Sequence, residues 1–129
     1  MSSTIDLATN ALRRSQLYRR HIAMDAEFVT LGDSIVVSRY GTLEQEQDLT
    51  QAQHLGLVDL STLPRAGFKG AGTPDWATSI AIDLPTEPNR AVLQSDGTLV
   101  ARLSQSELLL ASNLDGLSEC IANADQAAL

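Results

Sequence analysis

A chain of 129 residues, 43% of them hydrophobic, is long enough for one domain with a modest core and too apolar to be disordered. Its formal net charge of −7 argues against nonspecific binding to nucleic acid or to anionic membranes, whose phosphates would repel it. The single cysteine, Cys120, excludes an intramolecular disulfide and a cysteine-rich metal site, and no run of about 18 apolar residues is present to span a bilayer.

The charge is unevenly spread. Arg13, Arg14, Arg19 and Arg20 gather near the start, whereas residues 103–129 hold Glu107, Asp115, Glu119 and Asp125 and no Lys or Arg. The opening residues carry Asp6 and lack the apolar run of a secretory signal. They share Arg and Ser with mitochondrial presequences, but the default location is the cytoplasm. Residues 1–14 are expected to form a loose segment and residues 15–129 a single domain.

Leu17, His21 and Met24 recur at i, i+4 and i+7, which predicts a short helix over 13–24 laid on the domain. Its arginines read either as a solvated face or as a basic docking strip for an acidic partner. AEFVTL (26–31) and SIVVSRY (34–40) read as strands. Gly32-Asp33 between them, glycine first, is the pattern of a type II′ hairpin turn. Thr42 with Gln45 is a capping box and predicts a helix to about His54 that buries Leu43, Leu49, Ala52 and Leu55. Glu44 and Glu46 suit the positive end of its dipole. His54 has no second histidine at ligand spacing, so no metal site is expected.

The stretch HLGLVDLSTLPRAGFKG (54–70) stands at the centre. Leu55, Leu57, Val58 and Leu60 predict one buried strand, and Thr62-Leu63-Pro64 breaks it. Arg65, Gly67 and Lys69 alternating with Ala66 and Phe68 predict a second strand that ends at Gly70. Thr73 as cap and Pro74 at the first position predict a helix burying Trp76, Ala77, Ile80 and Ala81 and ended by Asp83-Leu84-Pro85.

NRAVLQ (89–94), TLVARL (98–103) and ELLLAS (107–112) predict a meander with a tight turn at Ser95-Asp96-Gly97. The unbroken Leu108-Leu109-Leu110 run predicts a strand buried on both faces. Ser112 or Asn113 is then expected to cap a last helix with Leu114, Leu117, Ile121, Ala124 and Ala128 as its stripe. Cys120 falls within that stripe and reads as a buried thiol. The elements together predict an α+β fold, an antiparallel sheet with helices packed on it in a split β-α-β, ferredoxin-like arrangement.

Motifs that carry chemistry are few. The chain has no G-x-S-x-G, P-loop, Rossmann fingerprint or H-E-x-x-H. Ser61 reads as a turn hydroxyl with no base beside it, and Asp59 and Asp83 are not spaced as a carboxylate pair. No catalytic residue is assigned.

SQLYRRHIAMDAEFV resembles the opening of the folate-dependent aminomethyltransferase family, the glycine cleavage T-protein, whose pattern is PLyxxH…GA. Leu17, Tyr18, His21 and Ala26 match it, with Gln16 where the family has proline. SRYG, Glu46 and LGLVDLS resemble further pieces of that family, with Tyr40, Gly41, Gly56, Leu57, Asp59 and Ser61 at matching places, and FKG (68–70) resembles one of its strands. LPTEPNRAV followed by LVARLSQSELLL is more similar to the γ subunit of heterotetrameric sarcosine oxidase, a reduced member of the same fold. Leu84, Pro85, Pro88, Asn89, Leu103, Glu107, Leu108 and Leu109 match there, and Gln105-Ser106 replaces a Gly-Pro. The resemblance covers roughly residues 15–117.

The resemblance implies the first half of a T-protein-like domain, with a hydrophobic flank to be covered by another subunit or a second copy. The aminomethyltransferases carry their catalytic acid in a GGxxDD hairpin. Laid on residues 97–102, both acids become Ala101 and Arg102. It therefore implies a non-catalytic, γ-like accessory subunit of a folate-linked, flavin-dependent oxidase or demethylase acting on N-methylated amines such as sarcosine. The flavin would sit in the larger partner, and Arg13, Arg14, Arg19 and Arg20 would dock on it. The alternative is a stand-alone tetrahydrofolate-binding, aminomethyltransferase-like homodimer, with Tyr40, Asp59 and Arg65 as the folate-contacting residues. A third reading is a homo-oligomeric interaction protein without folate.

Overall fold

Two strands joined by a glycine-led turn open the fold. The computed structural model describes residues 13–41 and 45–129. Within them the chain parts between Thr62 and Leu63 into two compact units. In the first, β1 (Ala26–Leu31) and β2 (Ser34–Tyr40) pair antiparallel, with Leu31 facing Ser34. Gly32 takes φ 60° and Asp33 does not turn left-handed, which is the type II′ geometry expected. Phe28 pairs with Val37 and Glu27 with Arg39, so Ser38 is a bulged extra residue. Ala26, Phe28 and Ile35 form a small core on which Tyr18, Val37 and Tyr40 pack.

The helix predicted over 13–24 is shorter: α1 is Tyr18–Ala23. Arg13 instead makes a parallel β-bridge with Ser34, its N–H donating to Asp33 O and its C=O accepting from Ile35 N–H, each at 3.1 Å. Ser15 explains the delay. Its Oγ accepts from Leu17 N–H at 2.9 Å and its C=O from Tyr18 N–H at 3.1 Å, a hydroxyl turn that holds the chain out of the helix until Tyr18. Of the predicted stripe only His21 is buried; Leu17 and Met24 are exposed.

The predicted helix at 42–54 is present as α2 (Gln45–His54), but without its stripe: Leu49 is 59% exposed, and Ala52 and Leu55 are exposed too. With Leu49 and Ala52 alone among Gln, Glu, Asp, Thr and His, no apolar face is wide enough to dock. The capping-box Thr42, Leu43 and Glu44 lie outside the described residues.

The strand predicted over 55–60 does not form. The segment has no ladder partner among the described residues, and Leu57 is 97% exposed. The competing interaction is local. Asp59 Oδ1 accepts from Ser61 N–H at 3.0 Å and from Ser61 Oγ at 2.6 Å, closing a side-chain turn where a strand would need an extended backbone.

The second unit is a four-stranded antiparallel sheet in the order β3 (Arg65–Lys69), β6 (Glu107–Ala111), β5 (Leu99–Ser104), β4 (Arg90–Leu93). The predicted meander of three strands is present, and the Arg65–Lys69 strand pairs with β6. The α+β class, with helices on antiparallel sheet, stands. The split β-α-β has no counterpart in this order, because the crossover through α3 (Thr73–Ser79) joins β3 and β4, the two edges, which run antiparallel to each other.

Val100, Leu108 and Leu110 point from the sheet into the core, where Ala77 of α3 and Ile121 and Ala124 of α4 (Glu119–Ala127) meet them with Ile82. Ala66, Phe68, Val92 and Trp76 pack around this centre, Phe68 and Trp76 with ring centroids 4.8 Å apart. Burying a leucine side chain contributes roughly 1.5–3 kcal/mol, so Leu108 and Leu110 are the main apolar anchors here. Leu109, between them, is 36% exposed, as are Leu93 and Leu99 to greater degrees. The expectation of a strand buried on both faces is therefore corrected: among the described residues, helices cover one face of the sheet and Leu93, Leu99 and Leu109 are exposed on the other.

Both helices differ from expectation at their ends. Thr73 is not the cap of α3; Gly72 is, which moves Thr73 inside the helix and puts Pro74 at its second position. The helix stops at Ser79, ahead of Asp83-Leu84-Pro85. Ala81 N–H reaches Thr78 O and Ile82 N–H reaches Ala77 O at 3.0 Å each, with Ala81 left-handed at φ 64°. This is a Schellman closure, and the buried Ala77 and Ile82 supply its apolar contact. Ala81, predicted buried, is exposed. A Cβ in the left-handed region costs roughly 1–2 kcal/mol, and glycine's greater unfolded-chain freedom offsets part of that. Ala81→Gly is expected to stabilise the unit by about 0.5–1 kcal/mol, read from its urea midpoint at unchanged slope.

The last helix begins later than predicted. Asn113 Oδ1 accepts from the N–H groups of Asp115 and Leu117 at 3.0 Å each, and Gly116 is left-handed, so residues 113–117 form a turn that leaves Leu114 and Leu117 exposed. Ser118, not Ser112 or Asn113, is the cap, accepting from Ile121 N–H at 2.9 Å. Asp96, from the β4–β5 turn, adds a second cap through Cys120 N–H at 3.0 Å. Burial raises the Asp96 carboxyl, but hydrogen bonds from Cys120, Thr98 and Glu119 outweigh it and hold it below its ordinary range. Of the predicted stripe Ile121 and Ala124 are buried, Ala128 is exposed and Cys120 is half-buried. Asp96→Ala is expected to cost about 1–2 kcal/mol, with the loss concentrated in hydrogen-exchange protection of α4 amides.

Candidate functional site

Three side chains far apart in sequence meet in the first unit. α1 presents His21 on its buried side, β2 ends in Tyr40, and the 59–61 turn presents Asp59. His21 lies between the other two. Its Nδ1 is 2.7 Å from Tyr40 Oη, and its Nε2 is 2.7 Å from Asp59 Oδ2. The His21 and Asp59 side chains are 9% and 16% exposed. Ser15 Oγ donates to Asp59 Oδ2, and Ser61 Oγ lies 3.1 Å from Ser15 Oγ.

With His21 neutral and protonated on Nε2, every donor in the cluster finds an acceptor. Ionised Asp59 accepts from Ser15 O–H, His21 Nε2–H, Ser61 N–H and Ser61 O–H. His21 Nδ1 then carries a lone pair and accepts from Tyr40 O–H. Burial raises the Asp59 carboxyl, but the hydrogen bonds from Ser15, Ser61 and His21 prevail and hold it well below the usual carboxylate range. The Tyr40 phenol moves upward, first through burial and then through the negative charge of Asp59.

These directions limit the chemistry. A phenol whose ionisation is opposed is a weak nucleophile and a weak base. Asp59, held below the usual carboxylate range, is a weak base toward the Ser15 and Ser61 hydroxyls that donate to it. What the cluster does is bind the 59–61 turn to α1 and to the end of β2. Tyr40→Phe, which leaves the His21 nitrogen without its donor, is expected to cost about 1 kcal/mol, measured as lost hydrogen-exchange protection in β1 and β2.

Of the residues named from sequence, Tyr40 and Asp59 come together, linked through His21. Arg65 belongs to the second unit, exposed on β3 opposite Ala111. Arg13, Arg14, Arg19 and Arg20 are exposed, with Arg19 and Arg20 on α1. The Arg14 guanidinium sits 4.7 Å over the Tyr18 ring, and Arg13 Nη1 is 3.9 Å from Asp33 Oδ1, an exposed pair worth little. Sequence reasoning missed Ser15 and assigned His21 to an apolar stripe. The available signal for His21 was its place in the PLyxxH-like pattern.

Arg102 is held mainly by backbone carbonyls. Its Nη1 donates to Pro85 O at 3.0 Å and Thr86 O at 3.1 Å, and its Nη2 to Gln105 O at 3.1 Å. It ties the segment before β4 to the β5–β6 turn. Among the described residues no three His, Cys, Asp or Glu side chains are grouped as metal ligands, and no helix is long and apolar enough to cross a membrane. Compared with known proteins, the chain is matched by no family model and by no curated protein.

Proposed function

We propose that this chain is a non-catalytic, γ-like accessory subunit of a cytoplasmic, folate-linked, flavin-dependent oxidase or demethylase acting on N-methylated amines such as sarcosine. One observation carries the reading. His21, Tyr40, Asp59 and Ser61, four of the residues matched to the T-protein family and scattered over three sequence segments, converge on one hydrogen-bonded cluster. That meeting is what supports the reading. The saturated cluster and the absence of a carboxylate at Ala101 and Arg102 support a role in assembly. The exposed leucines of the second unit's sheet supply surface for a partner to bury. Arg13, Arg14, Arg19 and Arg20 would meet an acidic face on the flavin-bearing subunit.

Native mass spectrometry on the protein purified from its source cell under its own expression tests this. A complex containing a large flavin-bearing subunit is expected; a bare homodimer without flavin would overturn it. The joining of Tyr40 and Asp59 through His21 favours, as the second reading, a tetrahydrofolate-binding homodimer. That reading requires the isolated chain to bind tetrahydrofolate and Asp59→Ala to abolish the binding.

A further inference from the structure

We draw no further inference here: the strongest candidate, the open face of the second unit's sheet bearing Leu93, Leu99 and Leu109, is an unpartnered apolar surface, and nothing in the structure shows what covers it.

Discussion

Leu110→Ala is expected to cost about 3–4 kcal/mol, whereas Leu109→Ala, one residue earlier on the same strand, costs less than about 1 kcal/mol. Leu110 is fully buried, facing Ala66 on β3 and Val100 on β5, under the helices that carry Ala77, Ile121 and Ala124. Truncation there removes the apolar burial and leaves a cavity that a small, closely packed centre cannot fill. Leu109 already faces outward, so its truncation removes little buried surface. Small domains have about 5–15 kcal/mol in total, so the first change takes a large share of it. Trp76, the single tryptophan, sits on this core and reports its unfolding in urea by fluorescence. Equal losses for the two variants would show that the sheet is covered on both faces.

Asp59→Ala is expected to cost the first unit about 3 kcal/mol. It removes the acceptor of four donors and strands His21 Nε2–H and Ser15 O–H in a mostly buried site. Asp59→Asn is expected to cost about half as much, near 1.5 kcal/mol. Its carbonyl can keep the Ser61 N–H, and its amide can face Ser15 and His21 if the imidazole changes tautomer. The carboxyl is held below its ordinary range in the fold. Its stabilisation is therefore complete above the unfolded-state pKa of about 3.9, and is lost as pH falls below that value toward the folded one. Asp59→Asn should flatten this acid limb. Hydrogen exchange of the β1 and β2 amides as a function of pH is the measurement, since Trp76 belongs to the other unit.

What could be read from the sequence was the part governed by local pattern. Period-two alternation located β3, and the turn signals at Gly32-Asp33 and Ser95-Asp96-Gly97 helped place β1, β2 and the meander to within a residue or two. What escaped was decided by side chains bonding to backbone. Ser15 delays α1, Asp59 and Ser61 turn a stretch that looked like a strand, and Asn113 postpones α4 by several residues. Each is a short polar side chain closing a local ring, and hydrophobic periodicity has no term for that. Burial was overestimated for the same reason in residues 55–60 and at Leu114 and Leu117, where an apolar residue was taken to imply an inward one. The candidate site was half legible. Tyr40 and Asp59 were singled out through a family likeness, but nothing in spacing could reveal that His21 would stand between them.

The convergence of His21, Tyr40 and Asp59 is the observation on which the functional reading rests, and the protonation of His21 tests it directly. A long-range nitrogen–proton correlation spectrum of the imidazole is expected to show one fixed tautomer, with the proton on Nε2 and a bare Nδ1, and to lose that pattern in Asp59→Asn. An imidazole that exchanges freely between tautomers in the wild-type protein, unchanged by Asp59→Asn, would contradict the cluster and remove the support it lends to the accessory-subunit reading.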